Sequence, residues 1–294
     1  AIPFNILQDT VSHPYLIVSG IVGAFRKVWG DSWGPRMEHI LRHSLMALLP
    51  VPDATLADLP RILSDKAFRD RALWYVTDVQ VRSFFKEEYE KYTPRFRQEA
   101  IAPILNKVGH FLADPFLRAI LSHKENRLRM REAMDGGKIV LANLSKGRMG
   151  EDASALLGTL LLSQIERAAL GRADMPSELR RPFYLYVDEF ATFATPSFIG
   201  LLSEARKYGL SLTIASQTLQ TIDDDIRSAV FGNVGTILAF QVSAEDAVYL
   251  EREFAPEFMA EDFVSLPRYC IYLKMMIEGQ AARPFSAVTL EPVA

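Results

Sequence analysis

Arg181–Phe190, RPFYLYVDEF, is the stretch on which the organisation of the chain turns. Pro182 interrupts what precedes it. Phe183 to Val187 is an aromatic and β-branched run, the composition of a strand buried in a parallel sheet. The run stops at Asp188-Glu189. Two carboxylates closing a buried strand are expensive unless something uses them. In an α/β sheet the carboxyl ends of the strands are where ligands sit. The pattern is not specific by itself, because many strands end in an acid before a turn.

Working outward, the residues after 135 alternate. Asp135-Gly136-Gly137 reads as a turn and Lys138–Leu144 as a strand. Glu151–Gly171 is a long helix, Pro196–Tyr208 a helix closed by Gly209, and Leu210–Ala215 a strand ending in Ser216-Gln217. Asp223–Phe231 is a helix, Thr236–Phe240 a strand and Ala244–Glu253 a helix. Strand and helix alternating at this spacing predict an α/β fold with a doubly wound, mostly parallel sheet. Tyr269–Ile277 and Phe285–Leu290, around Glu278-Gly279-Gln280, read as a hairpin.

Residues 35–135 have a different grammar. Met37, Ile40, Leu41, Leu45 and Leu48 recur at helical spacing after Pro35, a good first helical residue. Thr55 is placed to cap a short helix. Lys66–Val76, Asp78–Lys91 and Pro94–Leu112 read as further helices, the last with Pro103 inside it. Upstream, Ala1–Leu7 is a short apolar stretch of strand type, and Tyr15–Val28 a packed helix. The domains predicted are residues 1–30 as part of an α/β core, 31–135 as an all-helical insertion, and 136–294 as the rest of the core with its hairpin.

The 294 residues are 49% hydrophobic and 23% charged, an ordinary globular balance, with a net charge of −3 and thus no overall basic footprint for nucleic acid. Cys270 is the only cysteine, so no intrachain disulfide forms, which fits a reducing compartment. No apolar run reaches the roughly 18 residues a membrane span needs. The longest, Ala153–Ile165, contains Ser154, Gly158, Thr159, Ser163 and Gln164.

At the site, Asp188-Glu189 has the form of a Walker B element, in which the first acid holds Mg²⁺ and the second polarises the water attacking a γ-phosphate. If Leu210–Ala215 lies beside Phe183–Val187, Gln217 faces the acids across one sheet edge. It could bond the attacking water or the γ-phosphate, or simply cap the next helix, near Thr218. Arg206 and Lys207 end a helix, where the macrodipole explains two cations cheaply. Alternatively, Arg206 serves the phosphate of a neighbouring subunit. His39 and His43 are i,i+4 but lack a third metal ligand. Lys124, Arg127, Arg129 and Arg131 form a basic cluster that reads as a solvated face more readily than as a DNA contact.

YLYVDEF, SEARKYGLSLTIASQTL and FGNVGTILAF with SAEDA together resemble the motor domain of the FtsK–HerA superfamily of P-loop DNA pumps, and within it the type IV secretion (conjugative) coupling proteins of TraD/TraG type. WGPRMEHILRHSL and GGKIVLANLSKGRMGED are similar to the same lineage. The resemblance covers most of the chain, most specifically residues 136–246. It implies a RecA-like core with an inserted all-helical subdomain, ATP and Mg²⁺ as cofactors, Asp188 as magnesium ligand and Glu189 as catalytic base. Gln217 becomes the sensor at the next strand tip and Arg206 the trans-acting arginine, with Lys207 as its competitor. It further implies a hexameric ring threading DNA through its channel, secretion-machine proteins met through the helical insertion, and a cytoplasmic motor anchored to the membrane by an N-terminal region absent here.

These NTPases need G-x-x-x-x-G-K-[ST], a loop whose backbone N–H groups cradle phosphates. The 294 residues contain none, and Gly136-Gly137-Lys138 precedes a strand where a P-loop precedes a helix. Since the P-loop comes before the helical insertion in this lineage, the expectation is a fragment whose glycine loop lies before Ala1. The rivals are a P-loop-less scaffold or docking module of a secretion machine, and a motor that moves protein substrates.

Overall fold

Helices make up nearly all the regular structure before residue 183 in the computed structural model, which describes residues 2–8 and 13–290. The chain divides into two compact units, residues 1–183 and 184–294.

In the first unit, α1 (Pro14–Trp29) and α10 (Glu151–Leu170) pack together. Pro14 starts α1, where its missing N–H is no loss, and its inner face is Ile17, Val18, Ile21, Val22 and Phe25. Contact is close at Gly20: a Cβ there would collide with Ser163 and would stand 2.8 Å from Arg167 Nη1 on α10. α10 is buried almost all round, as expected of a helix whose charged residues fall only at its two ends and whose interior polar residues are Ser, Thr and Gln.

The helical region continues as α2 (Pro35–Leu48), α3 (Leu59–Ser64), α4 (Lys66–Tyr75), α5 (Val79–Ser83), α6 (Pro94–Ala113), α7 (Pro115–Leu121) and α8 (Met130–Asp135). Its starts are written in side chains. Thr55 and Asp58 form a reciprocal capping box, and Asp65 and Asp78 accept the Phe68 and Gln80 N–H groups at 3.1 and 2.8 Å. α6 runs through Pro103, which has no N–H to offer the Glu99 carbonyl.

The single helix expected over Asp78–Lys91 is instead α5, a π-helical turn over Phe84–Glu88 and a 3₁₀ turn over Tyr89–Lys91. Phe84, Phe85 and Tyr89 are all buried. In an α-helix residue 89 would lie about 140° around the axis from 84, whereas an i→i+5 turn stacks residue 89 over 84. Tyr89 then donates to Leu63 O at 2.6 Å, and Arg69, 2% exposed, donates to Ile62 O at 3.0 Å with its guanidinium over the Tyr89 ring. Arg69 thus neutralises the negative end of α3.

Two expected strands are absent. Ile2–Leu7 forms no ladder: Phe4 N–H donates to Ile120 O, and the buried Asn5 donates to Ala54 O and Lys124 O. (Ala1 lies outside the described residues.) Lys138–Leu144 has no strand partner among the described residues, and Ile139 and Leu141 are 88% and 91% exposed. Its hydrophobic pattern suits a sheet, but nothing described pairs its backbone. The loop expected at Ser145–Gly150 contains a one-turn helix, α9 (Lys146–Met149).

The second unit begins with β1 (Phe183–Val187), α11 (Phe190–Phe193), α12 (Phe198–Glu204) and β2 (Leu210–Ile214). β1 and β2 form a small parallel sheet. Gly209 ends the turn before β2 at φ 71°, a conformation glycine adopts without strain. β1 is not buried on both faces: its residues alternate, with Tyr184 and Tyr186 exposed.

Then come α13 (Asp224–Asn233), β3 (Thr236–Ala239), α14 (Ala244–Phe254), α15 (Ala260–Val264), β4 (Cys270–Ile277), β5 (Gln280–Ala281) and β6 (Phe285–Val288). β3 pairs antiparallel with β4, and β4 with β5 and β6, so the predicted hairpin is present. The aromatic residues Phe254, Phe258, Phe263 and Tyr272 lock α14 and α15 to this sheet, with Phe258 stacked on Tyr272 at 3.8 Å.

The packing of the first unit makes two stability predictions. Gly20→Val should lower the unfolding free energy by about 1–3 kcal/mol, measured as a drop in urea midpoint. His43 stacks on Phe84, and burial pushes its imidazole below the usual range, opposed by its hydrogen bond to the His39 carbonyl and by the nearby Glu88 and Asp78 charges, while the His39 side chain adds to the lowering. The unfolded chain therefore binds this proton more readily than the folded one. Stability should fall as pH drops below about 6.5, and His43→Leu should flatten that slope in pH-resolved denaturation.

Candidate nucleotide-hydrolysis site

The acids sit where two strands end together. Ala215 donates its N–H to Val187 O at 2.9 Å and accepts the Phe190 N–H at 2.9 Å. Val187 and Phe190 are three residues apart, so β1 makes an extra step between the two bonds. Glu189 takes that step in the left-handed region, φ 51° and ψ 44°, an uncommon conformation for a residue with a side chain. Immediately afterwards Phe190 and Phe193 bury themselves and anchor the turn.

Asp188 is exposed, and its Oδ1 accepts the Glu189 N–H at 2.9 Å. A free-standing carboxylate at the carboxyl edge of a parallel sheet is the kind of hard oxygen donor that suits Mg²⁺. Glu189 is half-buried and its Oε1 accepts a hydrogen bond from Gln217 Nε2. The structure therefore brings Asp188, Glu189 and Gln217 to one edge. A glutamate held by a glutamine amide in this way can take a proton from water while the amide carbonyl remains open to orient it.

Arg206 is not part of that group. It lies exposed in the turn before β2, Ala205–Tyr208, at the opposite edge of the sheet. The five-residue β2 separates the two edges by about 16 Å at roughly 3.3 Å per residue, so Arg206 does not reach its own Asp188. Lys207 pairs with Glu204 at 3.7 Å.

The other candidates resolve as structural. Each cation of the basic cluster meets an acid: Lys124 with Asp53 at 3.6 Å, Arg127 with Glu125 at 3.3 Å, Arg129 with Glu132 at 2.9 Å and Arg131 with Asp135 at 2.5 Å. Asp135 also receives the fully buried Arg172 at 2.9 Å, tying α8 to the segment before β1. His39 bonds Glu88 at 3.2 Å and His43 bonds the His39 carbonyl oxygen at 2.9 Å. Among the described residues no group of three or more His, Cys, Asp or Glu could hold a metal ion.

One residue at this edge was not legible in the sequence. Asp246, 2% exposed on α14, bonds the loop that carries Gln217. In SAEDA it reads as an ordinary acid in the first turn of a helix, and nothing in the spacing separates it from Glu245.

Residues 182–251 match a protein family described as the TraM recognition site of TraD and TraG. Solved structures of the conjugative coupling protein TrwB are similar in fold. The bacterial protein in its unbound form is 12% identical, with a TM-score of 0.62 over 98% of this chain and 70% of that one. TrwB with the non-hydrolysable ATP analogue ADPNP is 14% identical, with a TM-score of 0.63 over 98% and 70%. TrwB with ADP and Mg²⁺ is 14% identical, with a TM-score of 0.63 over 100% and 72%. No curated protein matches the chain. The fold is thus the RecA-like α/β fold of a conjugative coupling protein. Residues 182–251, which carry the site, match the TraD/TraG type that the sequence resembles.

Proposed function

We propose that the chain belongs to an ATP-driven motor that moves DNA, of the kind that couples conjugation to type IV secretion. The observation that carries this is the contact of Gln217 with Glu189 across adjacent strand tips, beside Asp188. Ligands of α/β sheets bind beyond the carboxyl ends of the strands, which supports reading these sequence-distant residues as one wall of a nucleotide site.

In this mechanism Asp188 would hold Mg²⁺, which supplies charge neutralisation on the phosphates. Glu189 takes the proton of the attacking water, and Gln217 keeps Glu189 and the water aligned. The phosphates themselves need a glycine loop that these 294 residues do not contain. Arg206, exposed and on the far edge, suits a role on the site of an adjoining subunit, which requires a ring, most simply a hexamer. DNA would be gripped by backbone charge without sequence preference. The domain reading is kept as part of the proposal: residues 31–135 form a helical insertion that meets secretion-machine proteins, and the 182–251 segment contributes to recognition of a TraM-like accessory protein. Among the described residues no helix is long and apolar enough to cross a membrane.

The joined acids and sensor argue against a scaffold that has lost its chemistry, since an idle site has no need of Glu189 in a strained backbone. The test uses the protein carrying its glycine loop. Glu189→Gln should abolish ATP turnover, by about 10²-fold or more, while fluorescent-nucleotide binding persists; normal turnover would sink the assignment. Stimulation of turnover by single- or double-stranded DNA is expected, and stimulation by a protein substrate alone would favour the protein-moving motor.

A further inference from the structure

Among the described residues Asp246 is the only carboxylate that is buried, at 2% exposure. A buried charge needs partners, or it destabilises the fold by several kcal/mol. The Asp246 partners lie outside its own helix. Oδ1 accepts the Leu219 N–H at 3.1 Å and the Thr218 hydroxyl at 3.4 Å. Next to it, Glu245 Oε2 accepts from Gln220 Nε2 at 3.2 Å. The start of α14 is itself fixed, because Ser243 Oγ caps the Asp246 N–H at 3.2 Å. Three consecutive residues of the loop, 218 to 220, are therefore held by the first turn of α14.

Other bonds stiffen the same loop. Ser216 Oγ donates to Thr218 O at 2.7 Å, and Thr218 Oγ1 accepts the Gln220 N–H at 3.3 Å. On the α13 side, Arg227 Nη1 donates to Leu219 O at 3.3 Å and to Ile222 O at 3.2 Å. From this braced loop Gln217 reaches out to Glu189.

We infer that Asp246 is the positioning residue that sets the reach of Gln217 to Glu189. The inference rests on the nucleotide-hydrolysis function proposed above. Asp246 never meets the nucleotide; it acts through the Leu219 amide, one peptide beyond Thr218, and so fixes where the Gln217 backbone stands. An orienting group displaced by about 1 Å can lose on the order of 10²-fold in rate, which a buried tether prevents.

The test compares Asp246→Ala with Asp246→Asn, which keeps an accepting oxygen. In the protein carrying its glycine loop, Asp246→Ala should lower kcat for ATP by about 10- to 100-fold with KM changed less than about twofold, and Asp246→Asn should restore kcat to within about threefold of wild type. In the 294-residue chain, amide hydrogen exchange across 217–220 should quicken in Asp246→Ala and stay slow in Asp246→Asn. Should Asp246→Ala not fold, Thr218→Val carries the test, with a smaller fall in kcat and faster exchange expected. Wild-type kcat and wild-type exchange in the folded variants would overturn the inference. If Glu189→Gln abolishes turnover while Asp246→Ala keeps it, Asp246 alone is misassigned. If Glu189→Gln turns over normally, the catalytic reading falls and the role of Asp246 in it falls too.

Discussion

The candidate site depends on one pair of backbone hydrogen bonds. Ala215 spans Val187 and Phe190, and three residues of β1 must fit where a regular parallel ladder takes two. Glu189 absorbs the surplus by turning left-handed, which glycine would do more cheaply. The turn points consecutive acids in different directions: Asp188 stays exposed, and Glu189 swings toward β2 and meets Gln217. Without the Ala215 bonds, the acids would be two neighbours on a strand end with no shared geometry.

The stiffness of that edge is supplied from behind. Phe190 and Phe193 pin the chain after the acids, and the antiparallel β3–β4 pair carries α14, whose first turn holds residues 218 to 220. The first unit solves a different problem. Its helices bury cations, and each buried guanidinium described in detail answers to backbone or to an aspartate: Arg69 to the end of α3 and the Tyr89 ring, Arg172 to Asp135 and the Arg181 carbonyl. Such arginines act as connectors between helix ends, Arg69 through backbone carbonyls and an aromatic face and Arg172 through a carboxylate as well.

Much of this was legible in the sequence. The helical periods of α1, α2, α4, α6 and α10, the cap at Thr55, the Gly209 stop and the C-terminal hairpin all depend on local chemistry, which short stretches record. So does the placing of Asp188, Glu189 and Gln217 at one edge, because it needs only that two strands be neighbours. What the sequence withheld depends on partners. Lys138–Leu144 has the side chains of a strand, but a strand exists only where another backbone pairs with it. β3 has the composition of a parallel strand, yet it lies antiparallel to β4, a strand from much further along the chain. Most of the basic cluster is the solvated face that its composition suggests, with Lys124, Arg127 and Arg129 exposed in ion pairs, whereas Asp246 looked like any acid in a helix's first turn.

The π-helical turn at Phe84–Glu88 has a consequence for how the helical region tolerates length changes. A π turn holds one residue more than the α turn it replaces. Removing any one residue from 84 to 88 would let the backbone close as regular α-helix, with its hydrogen bonds intact. The downstream residues would keep nearly the same phase, because the wide turn spreads its extra residue over the arc that one residue fewer covers in an α-helix. Tyr89 would stay facing Leu63 and Arg69, and Arg97 would keep the Tyr89 and Glu90 carbonyls. The segment is therefore one where the loss of a single residue is absorbed locally, so the phase of the flanking segments is insulated from the residue count of this turn.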